Sequence, residues 1–176
     1  MDGCEAEWWV SGGMAVELVV GRTLRSHGDV DISVTGPDLV EVLAHLSDLT
    51  AWAAVGGHLV RLREYDAATP VHNIWLGDRA GREFVLQVNV ESRSGDLWVY
   101  RRCPSVTLPW DALVQVVDGL PTGSLAAQLL WKAKAPEPKD HVDLRAALPV
   151  LDGHGRAWLG SAVAEAHPES PWRDLV

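Results

Sequence analysis

Hydrophobic and polar residues alternate along two segments of the chain, and this period of two predicts β-strands. In the segment RSHGDVDISV, the apolar residues Val30, Ile32 and Val34 are interleaved with acidic and hydroxyl side chains. Arg82 to Glu91 repeats the pattern with a longer apolar face. Because successive side chains of a strand point to opposite faces, each strand is expected to bury one face and to present polar groups on the other.

After several of the glycine and proline residues, which often mark helix ends, apolar residues recur with the helical period of about 3.6. The predicted helices are Met14 to Val20, Pro37-Asp38 through Leu49, Ser124 to Ala135, Pro138 to Leu148 and Gly155 to Ala166. The other predicted strands are Trp8 to Ser11, His58 to Glu64, Val71 to Leu76 and Trp98 to Tyr100. Gly21 stands where a left-handed cap would end the first helix.

This order of elements predicts an α/β (α+β) fold with a mixed sheet flanked by helices. At 176 residues, the chain is long enough for one well-packed core and too short for two independent ones. We therefore expect residues 1–120 to form the α/β core and residues 121–176 to form a helical region packed on it, as a single compact unit.

Charge and composition exclude several classes of protein. The net charge of −9 argues against a dedicated binder of nucleic acid or of an anionic membrane. The two cysteines, Cys4 and Cys103, match neither a disulfide framework nor a zinc motif. No apolar run approaches the roughly 18 residues of a membrane span. These features predict a cytoplasmic protein, and they leave the oligomeric state open.

The first chemical signal is the pair of carboxylates in RSHGDVDISV. Residues two apart on a strand point the same way, about 7 Å apart, so Asp29 and Asp31 could share a cation. Without a counter-ion the two charges would repel, and one carboxyl would have to keep its proton. Magnesium commonly binds one or two carboxylates together with substrate phosphates. A solvated strand end with two harmless acids is the alternative interpretation.

Residues around this pair could face a polyphosphate. Gly12 and Gly13 lie between a predicted strand and a predicted helix, where backbone N–H groups can approach phosphate oxygens closely. Arg25 and His27 flank the acidic pair and could contact the same oxygens. A simple turn, a surface arginine and a loop histidine are the alternatives for these four residues.

Together these motifs resemble the nucleotidyltransferase superfamily, in particular its aminoglycoside and lincosamide nucleotidyltransferases. The similarity is carried by WVSGGMAVELVVGRTLRSHGDVDISV, in which Gly-Gly precedes a helix and Arg-x-His-x-Asp-x-Asp opens the next strand. The segments LWVYRRCP and LLWKAKAPEPKDHVDL also look like that branch. The resemblance covers most of residues 8 to 150, and its N-terminal motif is the most specific part.

The resemblance implies transfer of a nucleoside monophosphate from ATP or another nucleoside triphosphate to a hydroxyl of a small, antibiotic-like molecule. Mg²⁺ held by Asp29 and Asp31 would neutralise the triphosphate and the leaving pyrophosphate. The diglycine, Arg25 and His27 would contact the phosphates. Basic residues of the C-terminal helices would neutralise the phosphate tail, unless they form an ordinary solvated surface; the candidates are Lys132, Lys134 and Lys139.

One position departs from the superfamily pattern. A third carboxylate is usual on a later strand, and by alternation that position falls on Gln87, which cannot act as a base. Asn89 also carries an amide and cannot act as a base either. Glu91 shares the face but lies roughly 13 Å farther along a regular strand, and Asp96 follows in the next loop. Either an acid such as Glu91 supplies the function, or one metal suffices, or nucleotidyl transfer has been lost.

An acceptor site is expected between the sheet and the C-terminal helices. Gln87 and Asn89 would face it, and Arg101 and Arg102 could clamp an anionic or sugar-bearing substrate beside the ring of Trp98. A surface edge strand is the alternative for these residues. A rival hypothesis for the whole protein is a ligand-binding or antitoxin-like module that keeps the pocket without the transfer chemistry or has acquired other chemistry.

Overall fold

The computed structural model of the chain describes residues 1, 3–64 and 71–176. Its strands within these ranges are β1 (Trp8–Val10), β2 (Val30–Thr35), β3 (Thr50–Val55), β4 (His58–Arg61), β5 (Asn73–Gly77), β6 (Phe84–Ser94), β7 (Leu97–Val99), β8 (Thr107–Pro109), β9 (Val114–Val117) and β10 (Leu120–Gly123). Its helices are α1 (Gly12–Val20), α2 (Leu39–His45), α3 (Trp110–Leu113), α4 (Leu125–Ala133), α5 (Pro138–Ala147) and α6 (Gly153–Ala166).

These strands form one mixed sheet, in the order β4-β3-β5-β6-β2-β1-β10-β9, with β7 and β8 continuing from β6. β2 runs parallel to β6, and β1 runs parallel to β10. The other neighbours are antiparallel. The predicted α/β fold with a mixed sheet flanked by helices is confirmed.

Apolar clusters cover both faces of the sheet. One cluster joins β1 and α1 to the C-terminal helices and includes Trp9, Val16, Leu129 and Trp172. The other cluster contains alternate residues of the central strands, such as Ile32 of β2, together with residues of α2. The boundary at residue 120 between the α/β core and the helical region stays a prediction. Helix α1 of the first part packs directly against α4 and α5 of the second.

The pairing of β2 with β6 positions the polar residues of both strands. Its register places Asp31 beside Gln87, Ser33 beside Asn89 and Thr35 beside Glu91. The opposite face of the same pair is apolar and joins the α2-side core. The alternation in the sequence therefore produces one polar sheet face, as predicted.

Helix α1 begins two residues earlier than predicted, at Gly12, and both of its ends use glycine. Gly12 has a φ of +63° and Gly21 has a φ of +76°, and such left-handed conformations are accessible to glycine at little cost. Gly21 donates its N–H to carbonyls of Glu17 and Leu18 and so ends the helix, as predicted.

The sequence pattern missed β3, α3 and the strands β8 to β10. β3 is rich in alanine, which has low strand propensity, and it is specified by pairing with β4 and β5. β10 contains Pro121, which argues against a strand, although it pairs on both sides. Strand β4 ends at Arg61 and gives way to a 3₁₀ turn, Leu62–Glu64, and α2 ends at His45 rather than Leu49.

Of the helices in the described ranges, none combines the length and the apolar character that crossing a membrane requires.

Candidate functional site

A cavity of about 420 Å³ opens between the polar face of the sheet and helix α4. The sheet strands β2, β5 and β6 form its floor. Its polar and aromatic lining consists of Ser11, Asp31, Ser33, His72, Asn73, Trp75, Gln87, Asn89, Glu91, Arg101, Arg102, Gln128, Trp131 and Lys132. The two halves of the chain therefore contribute to one site.

The Asp31 carboxylate lies directly against the backbone of the diglycine turn. A Cβ atom at Gly12 would collide with this carboxylate, so a side chain at position 12 is excluded by contact as well as by its positive φ. A backbone hydrogen bond of 2.9 Å from Ser11 N–H to the Asp31 carbonyl fixes the two segments together. The start of α1 is thus held at the acidic end of β2.

The N–H of Gly12 donates to Oε1 of Gln128 at 2.7 Å. Gln128 is buried on α4, and its amide nitrogen packs so closely on Gly123 that a Cβ atom there would collide with it. In this structure the first backbone donor of α1 is therefore satisfied by a side chain of a different helix.

Arg25 and His27 cover Gly13 on the other side of the turn. A Cβ atom at Gly13 would collide with the Arg25 guanidinium and lie 2.8 Å from the His27 ring. Arg25 donates from Nε and Nη2 to the two carboxylate oxygens of Asp143, both at 3.2 Å. His27 lies 2.9 Å from Glu17. The diglycine, the arginine and the histidine of the sequence motif are therefore brought together.

A buried ion network fixes two cations behind the cavity. The Asp143 side chain is 0% exposed and contacts both Arg25 and Lys132, the latter at 3.0 Å. Lys132 also donates to Asp140 at 2.7 Å, and Asp140 in turn caps the start of α5 through the backbone N–H of Glu137. Two carboxylates therefore neutralise Lys132 locally, and the network positions its ammonium group at the cavity wall.

Burial raises the pKa of the Asp31 carboxyl, and the nearby charge of Asp29 raises it further. A hydrogen bond from Asn89 and the charge of Lys132 only partly offset this effect. Asp29 is half-buried and immediately precedes β2. The pair thus carries the electrostatic conflict that the sequence implied.

Two aspartates in this conflict are a donor set that suits a divalent cation, because a cation would relieve the repulsion between Asp29 and Asp31. Among the described residues, no group of three or more His, Cys, Asp or Glu side chains could hold a metal by itself. The protein's contribution would therefore be the two aspartates alone.

Amide side chains occupy the position at which the resemblance led us to expect a third carboxylate. Gln87, beside Asp31 in the sheet register, donates to Oδ1 of Asn89 at 2.7 Å, and Asn73 donates to the same oxygen at 2.6 Å. The Asn89 amide nitrogen lies 3.5 Å from Oδ1 of Asp31. This chain of amides fixes the floor of the cavity but supplies no base.

Glu91 is the other carboxylate of the cavity lining within the described ranges. It is 8% exposed and accepts from Nε1 of Trp98 at 2.8 Å, with the Ser33 hydroxyl at 3.5 Å. Burial raises the pKa of its carboxyl, and these hydrogen bonds and the charges of Arg101 and Arg102 only partly counteract it. Burial therefore favours the protonated form of Glu91.

The structure brings some predicted site residues into the cavity lining and leaves others outside it. Those inside are Gly12, Asp31, Gln87, Asn89, Glu91, Arg101, Arg102 and Lys132. Gly13, Arg25 and His27 stand behind the turn, Asp29 precedes β2, and the ring of Trp98 is fully buried. Lys139 is on the surface, where it pairs with Glu137 at 3.0 Å. The functional roles assigned to these residues stay predictions.

Sequence reasoning missed several lining residues, notably Asn73, Gln128 and Trp131. Each lies in a segment predicted as a strand or helix, but nothing in the local pattern distinguished its cavity side from its core side. Gln128 could have been noticed as one polar residue in the apolar run LAAQLLW of α4.

Comparison with known proteins gives the family. The sequence profile of the family described as Aminoglycoside-2''-adenylyltransferase matches residues 1–101. A comparison with curated protein sequences finds no match.

Solved structures share the fold at low sequence identity. The solution structure of the antibiotic-resistance factor ANT(2'')-Ia is 17% identical with a TM-score of 0.56, covering 89% of this chain and 81% of the other. Lincosamide adenylyltransferase LnuA bound to lincomycin is also 17% identical with a TM-score of 0.56, covering 84% and 89%. ANT(2'')-Ia in complex with adenylyl-2''-tobramycin is 15% identical with a TM-score of 0.57, covering 91% and 88%.

The contact between α4 and the diglycine turn gives a first prediction. Gln128→Ala should lower the free energy of unfolding by about 1–3 kcal/mol, because the N–H of Gly12 loses its acceptor. Urea denaturation followed by circular dichroism measures the change. Gln115→Ala, at an exposed position of β9, is the matched control and should have little effect. Equal stabilities of the two variants would contradict the prediction.

The raised pKa of Asp31 gives a second prediction. Burial raises the pKa of Asp31 in the folded state above its pKa in the unfolded state. Such a carboxyl makes the protein less stable as the pH rises through the folded-state pKa, because the charged form is disfavoured in the folded protein. Asp31→Asn should therefore unfold at a higher urea concentration than the wild type near neutral pH, without divalent metal.

The advantage of Asp31→Asn should shrink as the pH falls toward about 4, the ordinary range of an aspartate. Asp111→Asn, at an exposed position, is the control and should show no such trend. A stability difference between wild type and Asp31→Asn that does not change with pH would show that burial does not perturb Asp31.

Proposed function

The chain belongs to the aminoglycoside-2''-adenylyltransferase family, and from that premise we propose that it transfers a nucleoside monophosphate from a nucleoside triphosphate to a hydroxyl of a small molecule. The observation that carries the proposal is the Asp31 carboxylate against the diglycine turn, at one end of a polar cavity. Nucleotidyl transfer needs a metal-binding carboxylate and phosphate-binding donors within one site.

In the proposed reaction, the acceptor oxygen forms a bond to the α-phosphorus. The bond from that phosphorus to the oxygen bridging to the β-phosphorus breaks, pyrophosphate leaves with that oxygen, and the hydroxyl proton passes to a base. Asp29 and Asp31 would hold Mg²⁺, which when bound supplies charge neutralisation for the phosphates.

Phosphate binding is proposed for residues on both sides of Asp31. The turn at the start of α1 supplies backbone N–H groups, although that of Gly12 must first release Gln128. Lys132 at the cavity wall would face the phosphate oxygens, with Arg25 and His27 closing the other side of the turn. Lys139, which is on the surface, would act only at longer range.

Glu91 is our candidate for the base. It lines the cavity, and its raised pKa favours accepting a proton. To receive the hydroxyl proton at a carboxylate oxygen, Glu91 would have to exchange its long contact with Ser33 for the acceptor, while the bond from Trp98 keeps the other oxygen in place.

A second candidate function is ligand binding without transfer. It is favoured by Gln87, the amide that stands beside Asp31 where a third carboxylate is usual in the superfamily. The two functions agree on the pocket and differ on whether nucleotide is consumed.

Metal-dependent nucleotide binding is the first test. Calorimetry should show ATP binding to the wild type only with Mg²⁺, and the Asp29→Asn/Asp31→Asn double variant should lose it, because the metal ligands are gone. Asp111→Asn, away from the cavity, should bind as the wild type does. Absence of ATP binding by the folded wild type would contradict the proposed transfer.

Glu91 is tested separately from binding. Glu91→Gln should keep MgATP affinity within about twofold but lower turnover by about 10²–10⁴-fold, the usual contribution of a general base. Pyrophosphate release measures turnover, and its pH profile should lose the limb that reports a carboxylate. If Glu91→Gln changes only the unfolding midpoint, Glu91 is a structural residue.

A further inference from the structure

Two guanidinium groups share one tryptophan ring at the cavity wall. The Cζ atoms of Arg101 and Arg102 each lie 4.8 Å from the ring centroid of Trp131. Arg101 is half-buried, and its Nη2 donates to Oδ1 of Asn73 at 3.3 Å, while Arg102 donates to the Trp131 carbonyl at 3.3 Å. Both side chains line the cavity and are held in place by neutral groups.

No carboxylate of the described residues forms an ion pair with either arginine. Glu91 attracts Arg101 at longer range, but its oxygens contact Trp98 and Ser33. Burial lowers the pKa of Arg101, and the charge of Arg102 lowers it further. The two cations therefore repel each other in a partly dehydrated site, and an anion between them would remove that cost.

The third cation of the cavity is Lys132, which differs from the two arginines because it forms ion pairs. Lys132 pairs with Asp140 and Asp143, so its charge is balanced within the protein. His72, which also lines the cavity, has a pKa lowered by burial and by Arg101, which favours its neutral form. The positive charge of the cavity that forms no ion pair among the described residues is thus concentrated at Arg101 and Arg102, with Arg101 bonded to Asn73 of β5.

This charge distribution does not suit a polycationic acceptor. An ammonium group near Trp131 would meet two guanidinium groups, whereas the carboxylates of the lining are Asp31, our metal ligand, and Glu91, our candidate base, which accepts from Trp98. We propose that the acceptor carries an anionic group, a carboxylate or a phosphate monoester, which Arg101 and Arg102 bind while its hydroxyl reaches toward Asp31. The inference rests on the proposed function for the role of the ligand as acceptor.

The test uses four probes with the same pyranose ring and different charge: glucuronate, glucose 6-phosphate, glucose and glucosamine. Each is titrated by calorimetry into the full-length protein, first alone and then with a saturating non-hydrolysable MgATP analogue. The two anionic probes distinguish a carboxylate from a phosphate. The second titration excludes binding of the probe at the triphosphate site.

The variant is Arg101→Gln, and the control is Arg93→Gln. Arg93 also lies over a tryptophan ring, 4.2 Å from the centroid of Trp110, but it pairs with Glu7 outside the cavity. The control therefore removes an equivalent cation–π contact and the same charge from the protein. Circular dichroism and the unfolding midpoint confirm that both variants are folded.

We expect at least one anionic probe to bind at least tenfold more tightly than glucose or glucosamine, with and without the nucleotide analogue. Arg101→Gln should weaken that binding at least tenfold and leave MgATP affinity within about threefold, and Arg93→Gln should change neither. Charge-assisted hydrogen bonds of a guanidinium to an anion are strong enough for such an effect.

Other outcomes overturn the inference. The inference is wrong if neither anionic probe binds, if glucosamine binds as tightly as the anionic probes, or if both arginine variants lose the same amount of probe affinity. It is also wrong if Arg101→Gln weakens only MgATP binding, because the arginine would then belong to the nucleotide site. Failure of the proposed function gives a different result. In that case MgATP would not bind, but the anionic probe would still bind in a way that depends on Arg101, as in a ligand-binding pocket.

Discussion

The site depends on the contact between the Asp31 carboxylate and the backbone of Gly12. This contact requires glycine at position 12, the antiparallel pairing of β1 with β2, and the hydrogen bond from Ser11 to the Asp31 carbonyl. It brings a negative charge to the start of a helix, where backbone donors face a polyphosphate most readily. Moving either segment by a residue would separate the acid from the turn.

The ion network behind the turn explains why two distant parts of the chain form one site. Asp143 on α5 is fully buried, and leaving it unpaired would be costly; Arg25 and Lys132 both pair with it. Arg25 comes from the loop before β2, and Lys132 comes from α4. The network therefore ties the C-terminal helices to the turn.

The sequence specified the polar face of the sheet because alternation in β2 and β6 is a local property, whereas it predicted the start of α1 two residues too late, at Met14 instead of Gly12. It could not specify which helical side chains would reach that face. Gln128 and Trp131 meet the cavity through the packing of α4 on α1, which local periodicity does not encode. Short strands such as β10 form by pairing with neighbours, against the local preference of Pro121.

Gln128, Trp131 and Lys132 lie within one turn and a half of the same helix. An oxygen of a ligand that takes the Gly12 N–H has to displace Gln128, and the displaced amide then needs a new partner within a packed interior. Helix α4 also carries the aromatic ring that holds two arginines, so an adjustment of the helix around the displaced amide would move that ring as well. Occupancy at one end of the cavity would thereby change the affinity at the other, and by reciprocity each ligand would influence its companion to the same degree.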